Sequence, residues 1–159
     1  MARMCRWSLC DGTMDLVNFH QITPRIGTAG HPKPEDFPAI AAAGYQVVVN
    51  LAPHDADDAI ADEGTLISAA GMSYIHLPVP WDAPTADHLK TFIGLMDALQ
   101  HKQVLVHCQV NARVSAFMLK YLTFKGVSEA DATTPLMEKW KPQMDNTWKA
   151  FLALDEGGL

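Results

Sequence analysis

A chain of 159 residues has room for one ordinary domain, and its 48% hydrophobic and 19% charged content is a globular balance, which excludes a multidomain machine and an intrinsically disordered chain. Twelve Lys and Arg against eighteen Asp and Glu leave a net charge of -6, so no general attraction draws the protein to nucleic acid or anionic lipid. Any anion site must be local.

Three cysteines, Cys5, Cys10 and Cys108, are too few and odd in number for a closed disulfide framework, which fits a reducing compartment. The first twenty residues hold Arg3, Arg6 and Asp11 and no apolar run of signal-peptide length. The longest uncharged stretch, Phe37 to His54, is broken by Pro38, Gly44, Gln46, Asn50 and Pro53 and is too polar to cross a bilayer. A cytoplasmic protein without a membrane partner is expected.

Residues 1–18 show neither strand nor helix periodicity and read as a loosely attached arm, leaving 19–159 as the domain. Cys5 and Cys10 lie in the arm, and with no second Cys or His pair at matching spacing they make no metal site. Arg25 to Thr28 suggests a short edge strand, followed by the turn cluster Gly30-His31-Pro32-Lys33-Pro34. A helix over about Pro34–Ala43 has Glu35 and Asp36 near its positive end and Gly44 at its C-terminal cap. Tyr45–Leu51, with its valine run, reads as a strand buried on both faces.

The rhythm then repeats, with a helix over Asp55–Ala70, a strand over Met72–Val79 and the turn Pro80-Trp81-Asp82-Ala83-Pro84. A helix over Thr85–Leu99 and a buried strand over Gln103–His107 follow. Another helix starts near Arg113 and runs to Gly126, Ser128 and Asp131 look like the cap of the next, and Asp145–Leu154 closes the chain as a helix. Strands alternating with helices of this length imply an α/β fold: three layers, with a mostly parallel central sheet flanked by helices.

The chemistry concentrates in Val104-Leu105-Val106-His107-Cys108-Gln109-Val110-Asn111-Ala112-Arg113-Val114-Ser115. A cysteine leaves a buried strand, a short loop follows, and an arginine opens a helix. Ligands of open parallel sheets bind beyond the carboxyl ends of the strands, where loop amides and a helix N-terminus favour a tetrahedral anion. A thiol there is expected to titrate below its free value of about 8.5 and to act as a thiolate nucleophile facing the anion pocket.

This segment resembles the signature of the cysteine-dependent protein tyrosine and dual-specificity phosphatases, His-Cys, five residues, Arg, then Ser or Thr. The chain looks closest to the small bacterial phosphatase-like family of unknown function in that superfamily. That likeness runs over about residues 18–152 and includes Gly30-His31-Pro32, Ala43-Gly44, Asp62-Glu63, Gly71-Met72 and the cysteine loop. It implies a tyrosine/dual-specificity phosphatase-like fold and a phosphocysteine mechanism without metal or organic cofactor. Asp82, twenty-six residues before Cys108, sits next to Pro and Trp as the general acid of such enzymes does, with Asp87 as the weaker rival. The resemblance also assigns His107 to orienting the loop and Ser115 to hydrogen-bonding the thiolate.

One departure bears on activity. Arg113 stands five positions after Cys108, where the signature has six, while Ser115 keeps its place at seven. A loop shortened by one residue looks like that of rhodanese sulfurtransferases, whose cysteine carries a persulfide. Three readings follow: a phosphate monoester hydrolase acting on a phosphorylated protein or small molecule, a sulfurtransferase, and a non-catalytic anion-binding or regulatory module. The phosphatase reading has Cys108, Arg113, Asp82 and Ser115 as catalytic residues. Gln109, Val110, Asn111, Ala112 and Arg113 hold the oxyanion, with Asn111 either donating to it or permitting the turn. Asp55, Asp57, Asp58, Asp62 and Glu63 read as a solvated acidic helix face, because the central glycine of a calcium loop is missing, while the resemblance leaves a role near the site open for Asp62 and Glu63. Trp140 and Trp148 read as helix packing.

Overall fold

Val47, Val48 and Val49 divide between two hydrophobic cores, the outer two facing one and Val48 the other. This is the period-two alternation of a strand covered on both sides. The computed structural model describes residues 14–159. Cys5 and Cys10 therefore lie outside the described residues, as does most of the arm expected over 1–18.

Among the described residues five strands form one sheet: β1 (His20–Thr23), β2 (Ile26–Ala29), β3 (Val47–Asn50), β4 (Ser73–His76) and β5 (Val104–His107), in the order β1-β2-β5-β3-β4. β1 runs antiparallel to β2, and every other neighbour pair is parallel. Among the described residues six α-helices accompany them: α1 (Phe37–Ala42), α2 (Glu63–Ala69), α3 (Ala86–Ala98), α4 (Ala112–Phe124), α5 (Pro135–Trp140) and α6 (Asn146–Leu152). This is the three-layer α/β architecture expected from the sequence.

Chain direction across the sheet decides the layers. β2 to β3 and β3 to β4 cross through α1 and α2, whose Phe37, Ile40 and Ile67 pack with Val48 and Leu105. The chain then turns back from β4 to β5, and α3 crosses on the opposite face, where right-handed connection demands it. Leu89, Phe92 and Met96 of α3 recur at helical spacing and join Phe117, Trp148 and Phe151 in the larger core. Each such side chain contributes about 1.5–3 kcal/mol when fully buried. α4 is buried nearly all round, because it lies between the sheet and the C-terminal helices.

Several expectations change. Ile26–Ala29 is fully buried between β1 and β5, so the edge strand is β1, whose four residues are all half-buried and lack an alternating pattern. The helix expected over Asp55–Ala70 is confined to Glu63–Ala69, since residues 53–62 form turns around Pro53 and four aspartates. Ser128 closes a local turn by accepting from the Asp131 amide, and Thr134 caps the next helix, α5. Residues 14–18 pack onto the fold: the Gly30 amide donates to the Val17 carbonyl at 2.6 Å, and Met14 and Leu16 lie against the smaller core.

Candidate active site

Parallel register gathers the site. His107, the last residue of β5, stands beside Ala29 at the end of β2 and Asn50 at the end of β3. Three loops therefore leave the sheet side by side: Gly30-His31-Pro32, Leu51-Ala52-Pro53 and Cys108–Asn111. The loop after β4, Pro80–Pro84, reaches the same edge.

The cysteine loop is fastened from the β2 side. The Cys108 amide donates to the Ala29 carbonyl at 3.3 Å, and the His31 amide donates to the Gln109 carbonyl at 3.0 Å. A trans peptide points its N–H away from its C=O, so the Val110 amide faces away from His31. Asn111 then takes the left-handed conformation at φ 76° and α4 begins at Ala112. Asparagine tolerates that region better than other non-glycine residues. Among the described residues, no N–H from Gln109 to Val114 donates to a protein acceptor; the first amide of the series to do so is Ser115, to the Asn111 carbonyl at 3.1 Å. A row of free donors at the start of a 13-residue helix is an anion-binding arrangement.

Asp82, Gln109 and Arg113 come together around one open groove of about 660 Å³, which Asp55, Asp57, Trp81 and His88 also line. Arg113 is only 5% exposed. Its Nε donates to the Val79 carbonyl at 2.8 Å, one Nη donates to Gln109 Oε1 at 3.3 Å, and the guanidinium lies 5.3 Å from the centre of the Trp81 ring. Its second Nη has no protein acceptor among the described residues.

Cys108 does not line this groove. Its side chain is 0% exposed within the larger core, whereas the sequence had placed the sulfur facing an anion pocket. Arg113 is hydrogen-bonded to the Val79 carbonyl, and Val79 belongs to the same core as Cys108.

Other expected site residues have different partners. The Asn111 amide group donates to the Asn18 carbonyl and to Thr28 Oγ1, at 2.8 and 3.1 Å, so this side chain holds the turn and does not face the groove. Ser115 Oγ bonds Asn111 Oδ1 at 3.3 Å and Thr134 Oγ1 at 2.6 Å, not the thiol. Ala112 is buried at the first turn, Val110 is 50% exposed, and Asp87 is exposed on the first turn of α3, away from the groove lining.

His107 is fully buried, with Nε2 2.5 Å from Glu63 Oε2 and Nδ1 3.2 Å from the Cys108 carbonyl. Glu63 is therefore not part of the solvated acidic face: at the start of α2 it turns inward, and Asn50 bridges it to Tyr74 at 3.3 and 3.1 Å. Burial, with the Glu63 charge adding to it, raises the Tyr74 hydroxyl above its ordinary pKa against the Asn50 bond. His31 lies edge-on to His107 at 5.8 Å, with both ring nitrogens buried and without hydrogen-bond partners among the described residues. Burial holds its imidazole below the ordinary value, the Asp58 charge pulls it up, and His107 adds to the lowering. The sequence signals for this network were the Asp62-Glu63 pair and Gly30-His31-Pro32, neither of which reveals its partners in isolation. No cluster of three or more His, Cys, Asp or Glu among the described residues is arranged to hold a metal ion.

A cysteine at the end of the central strand, unsatisfied amides behind it and an arginine at the helix start, set in this sheet, define the fold of the tyrosine and dual-specificity phosphatases. That fold recurs in P. aeruginosa TpbA, at 18% identity and a TM-score of 0.67 over 89% of this chain and 88% of that one, and TpbA has also been solved as a Cys-to-Ser variant in complex with pTyr.

The chain belongs to the family of the phosphatase-like domain of the beta-lactamase hydrolase-like protein, whose profile matches residues 18–120. A candidate phosphatase (DUF442) from Shewanella putrefaciens CN-32 is 34% identical, with a TM-score of 0.79 over 86% of this chain and 87% of that one. The beta-lactamase hydrolase-like protein of Agrobacterium fabrum is 29% identical over 96 residues, 58% of this chain and 22% of that protein. The chain thus spans about a fifth of that relative's length. No helix among the described residues is long and apolar enough to cross a membrane.

Proposed function

We propose that the protein hydrolyses phosphate monoesters, on a phosphorylated protein or small molecule, through a cysteine-bound phosphate. The row of unsatisfied amides from Gln109 to Val114, directly after Cys108 and beside the buried Arg113 guanidinium, carries this reading. In the first step Sγ of Cys108 attacks phosphorus. The S–P bond forms as the P–O ester bond breaks, and Asp82 gives its proton to the departing oxygen. The amides and the Arg113 fork share the equatorial oxygens and the charge that develops on them. In the second step Asp82, now ionised, takes a proton from water, the oxygen attacks phosphorus, and the S–P bond breaks to return the thiolate and inorganic phosphate. Ser115 acts from behind, holding Asn111 in its turn. Substrate reaches the buried sulfur when Arg113 exchanges the Val79 carbonyl for phosphate oxygens.

Hydrolysis of para-nitrophenyl phosphate is the test. It is expected to disappear in Cys108→Ser, to be blocked by vanadate, and to fall on the order of 10²-fold in Arg113→Lys, because an ammonium does not reproduce the bidentate contact. Absence of hydrolysis, or its survival in Cys108→Ser, removes the reading.

The loop length favours a second reading. Only four residues separate Cys108 from Arg113, and α4 starts at Ala112, so the ring suits a single sulfur atom on cysteine. Thiosulfate would give its outer sulfur to the Cys108 thiolate with release of sulfite, and cyanide would remove it as thiocyanate. Thiocyanate production without phosphate release selects this chemistry. Sulfate or phosphate binding with neither turnover selects an anion-binding module.

A further inference from the structure

The Pro80–Pro84 loop has little of its own to hold it. Its two prolines donate no hydrogen bond, and within it the Ala83 amide reaches the Pro80 carbonyl only at 3.3 Å. Asp82 is exposed, and its carboxylate has no hydrogen-bond partner among the described residues. Yet a general acid must stand within hydrogen-bond reach of the leaving oxygen. Something outside the loop has to set its place.

Trp148 touches the loop directly. Its indole Nε1–H donates to the Trp81 carbonyl at 2.9 Å. That carbonyl belongs to the peptide joining Trp81 to Asp82, and because the peptide is planar a hydrogen bond to its oxygen restrains the Cα of both residues. The Trp81 ring, itself 40% exposed, lies 5.0 Å from the Trp148 ring and stacks on Trp140 at 5.4 Å and 28°. Trp148 is a rigid anchor: fully buried, packed edge-on against Phe151 at 5.3 Å, with its amide capped by Asp145 Oδ1 at 3.0 Å. Arg113 closes the loop from the site side through Val79 and Trp81. Trp140 and Trp148 lie on α5 and α6, beyond the family match at residue 120.

We infer that Trp148, supported by Trp140, is a positioning residue for proton donation by Asp82: the C-terminal helices hold the acid loop in register with the cysteine loop. The inference rests on the phosphatase reading above. Loss of the indole N–H lets the Trp81–Asp82 peptide rotate, and a displacement of about 1 Å in a reacting group costs on the order of 10²-fold at most. The loss is selective. A leaving group that departs as a stable anion needs no proton, whereas a poor one does.

The experiment measures kcat/KM for a series of aryl phosphates, from dinitrophenyl to phenyl, in wild type, Trp148→Phe, Trp140→Ala, Asp82→Asn and the Trp148→Phe/Asp82→Asn double variant. Trp148→Phe is expected to lose about 10-fold on phenyl phosphate and about 2-fold on the dinitrophenyl ester, with no further loss when Asp82 is already Asn. Trp140→Ala, at a half-buried position, should shift the same slope, and it serves if Trp148→Phe does not fold. Equal losses across the series, or equal losses in both Asp82 backgrounds, overturn the inference while leaving a Cys108-dependent phosphatase standing. A wild type without any hydrolysis overturns both.

Discussion

A methyl group at Gly30 would stand 2.7 Å from the Gln109 carbonyl oxygen, 2.9 Å from Val17 Cγ1 and 3.0 Å from the Val110 Cα. Two of those three atoms are backbone of the cysteine loop, which cannot swing aside as a side-chain tip does. Gly30→Ala is therefore expected to cost about 1–3 kcal/mol, read as a lower urea midpoint, and to move the loop that carries Cys108. Its effect on phosphate-ester turnover should exceed that of an equally destabilising core substitution such as Ile67→Val. Equal effects would mean that the loop absorbs the methyl group without shifting. The sequence singled out Gly30-His31-Pro32 as a turn. The reason for glycine there, a backbone passing within contact distance of another loop, depends on a neighbour almost eighty positions away and has no local signal. Glu63 is the same case: five acidic residues near one another read as a solvated face, and only the placement of β5 shows that one of them faces His107.

At the scale of elements, what could be read was what periodicity or punctuation marks. β3 and β5 are runs of valine and leucine, α3 carries its apolar stripe, and Gly44 and Gly126 end their helices at φ 104° and 92°, a region natural to glycine. β1 has neither alternation nor a valine run, because it is an edge strand half-buried on both sides. Ser128 and Asp131 form a local turn of the same chemistry as a helix cap, so in sequence they imitate the start of α5. The actual cap, Thr134, accepts from the Met137 amide at 3.1 Å and also bonds Ser115 Oγ on α4 at 2.6 Å, so one hydroxyl both starts α5 and ties it to α4. Thr134→Ala should cost about 1–2 kcal/mol. Ser115→Ala removes the same interhelical bond, so the double variant is expected to lose less than the sum of the singles, as a thermal-unfolding cycle would show. Strict additivity would mean that the two hydroxyls act separately.

For the molecule as a whole, the alternation of helices and buried strands was sufficient to give three layers and a mostly parallel sheet. It did not give strand order, which depends on the turn-back after β4. The buried polar groups that this packing creates set the pH range of stability. Partial burial holds the imidazoles of His20 and His31 below their ordinary value near 6.5. As pH falls through that value the unfolded chain takes up these protons more readily than the folded one. Stability rises with pH wherever the unfolded state binds more protons, so it is complete above about 6.5 and is lost on acidification through the folded-state values. Tyr45 acts at the other end. Burial, opposed by its bond to Gln21, pushes its hydroxyl up to about 12, so the unfolded chain ionises first and stability declines as pH rises from about 10. The carboxylates of Asp97 and Glu129, lowered by hydrogen bonds from Lys125 and Lys141, are exposed pairs that contribute little. Urea midpoints measured against pH should form a plateau between about 6.5 and 10 and fall on both sides. The double variant His20→Gln/His31→Gln should flatten the decline just below 6.5 while leaving the alkaline limb in place. An acid limb unchanged in that variant would assign the loss to other groups and show that these two imidazoles titrate alike in the folded and unfolded chain.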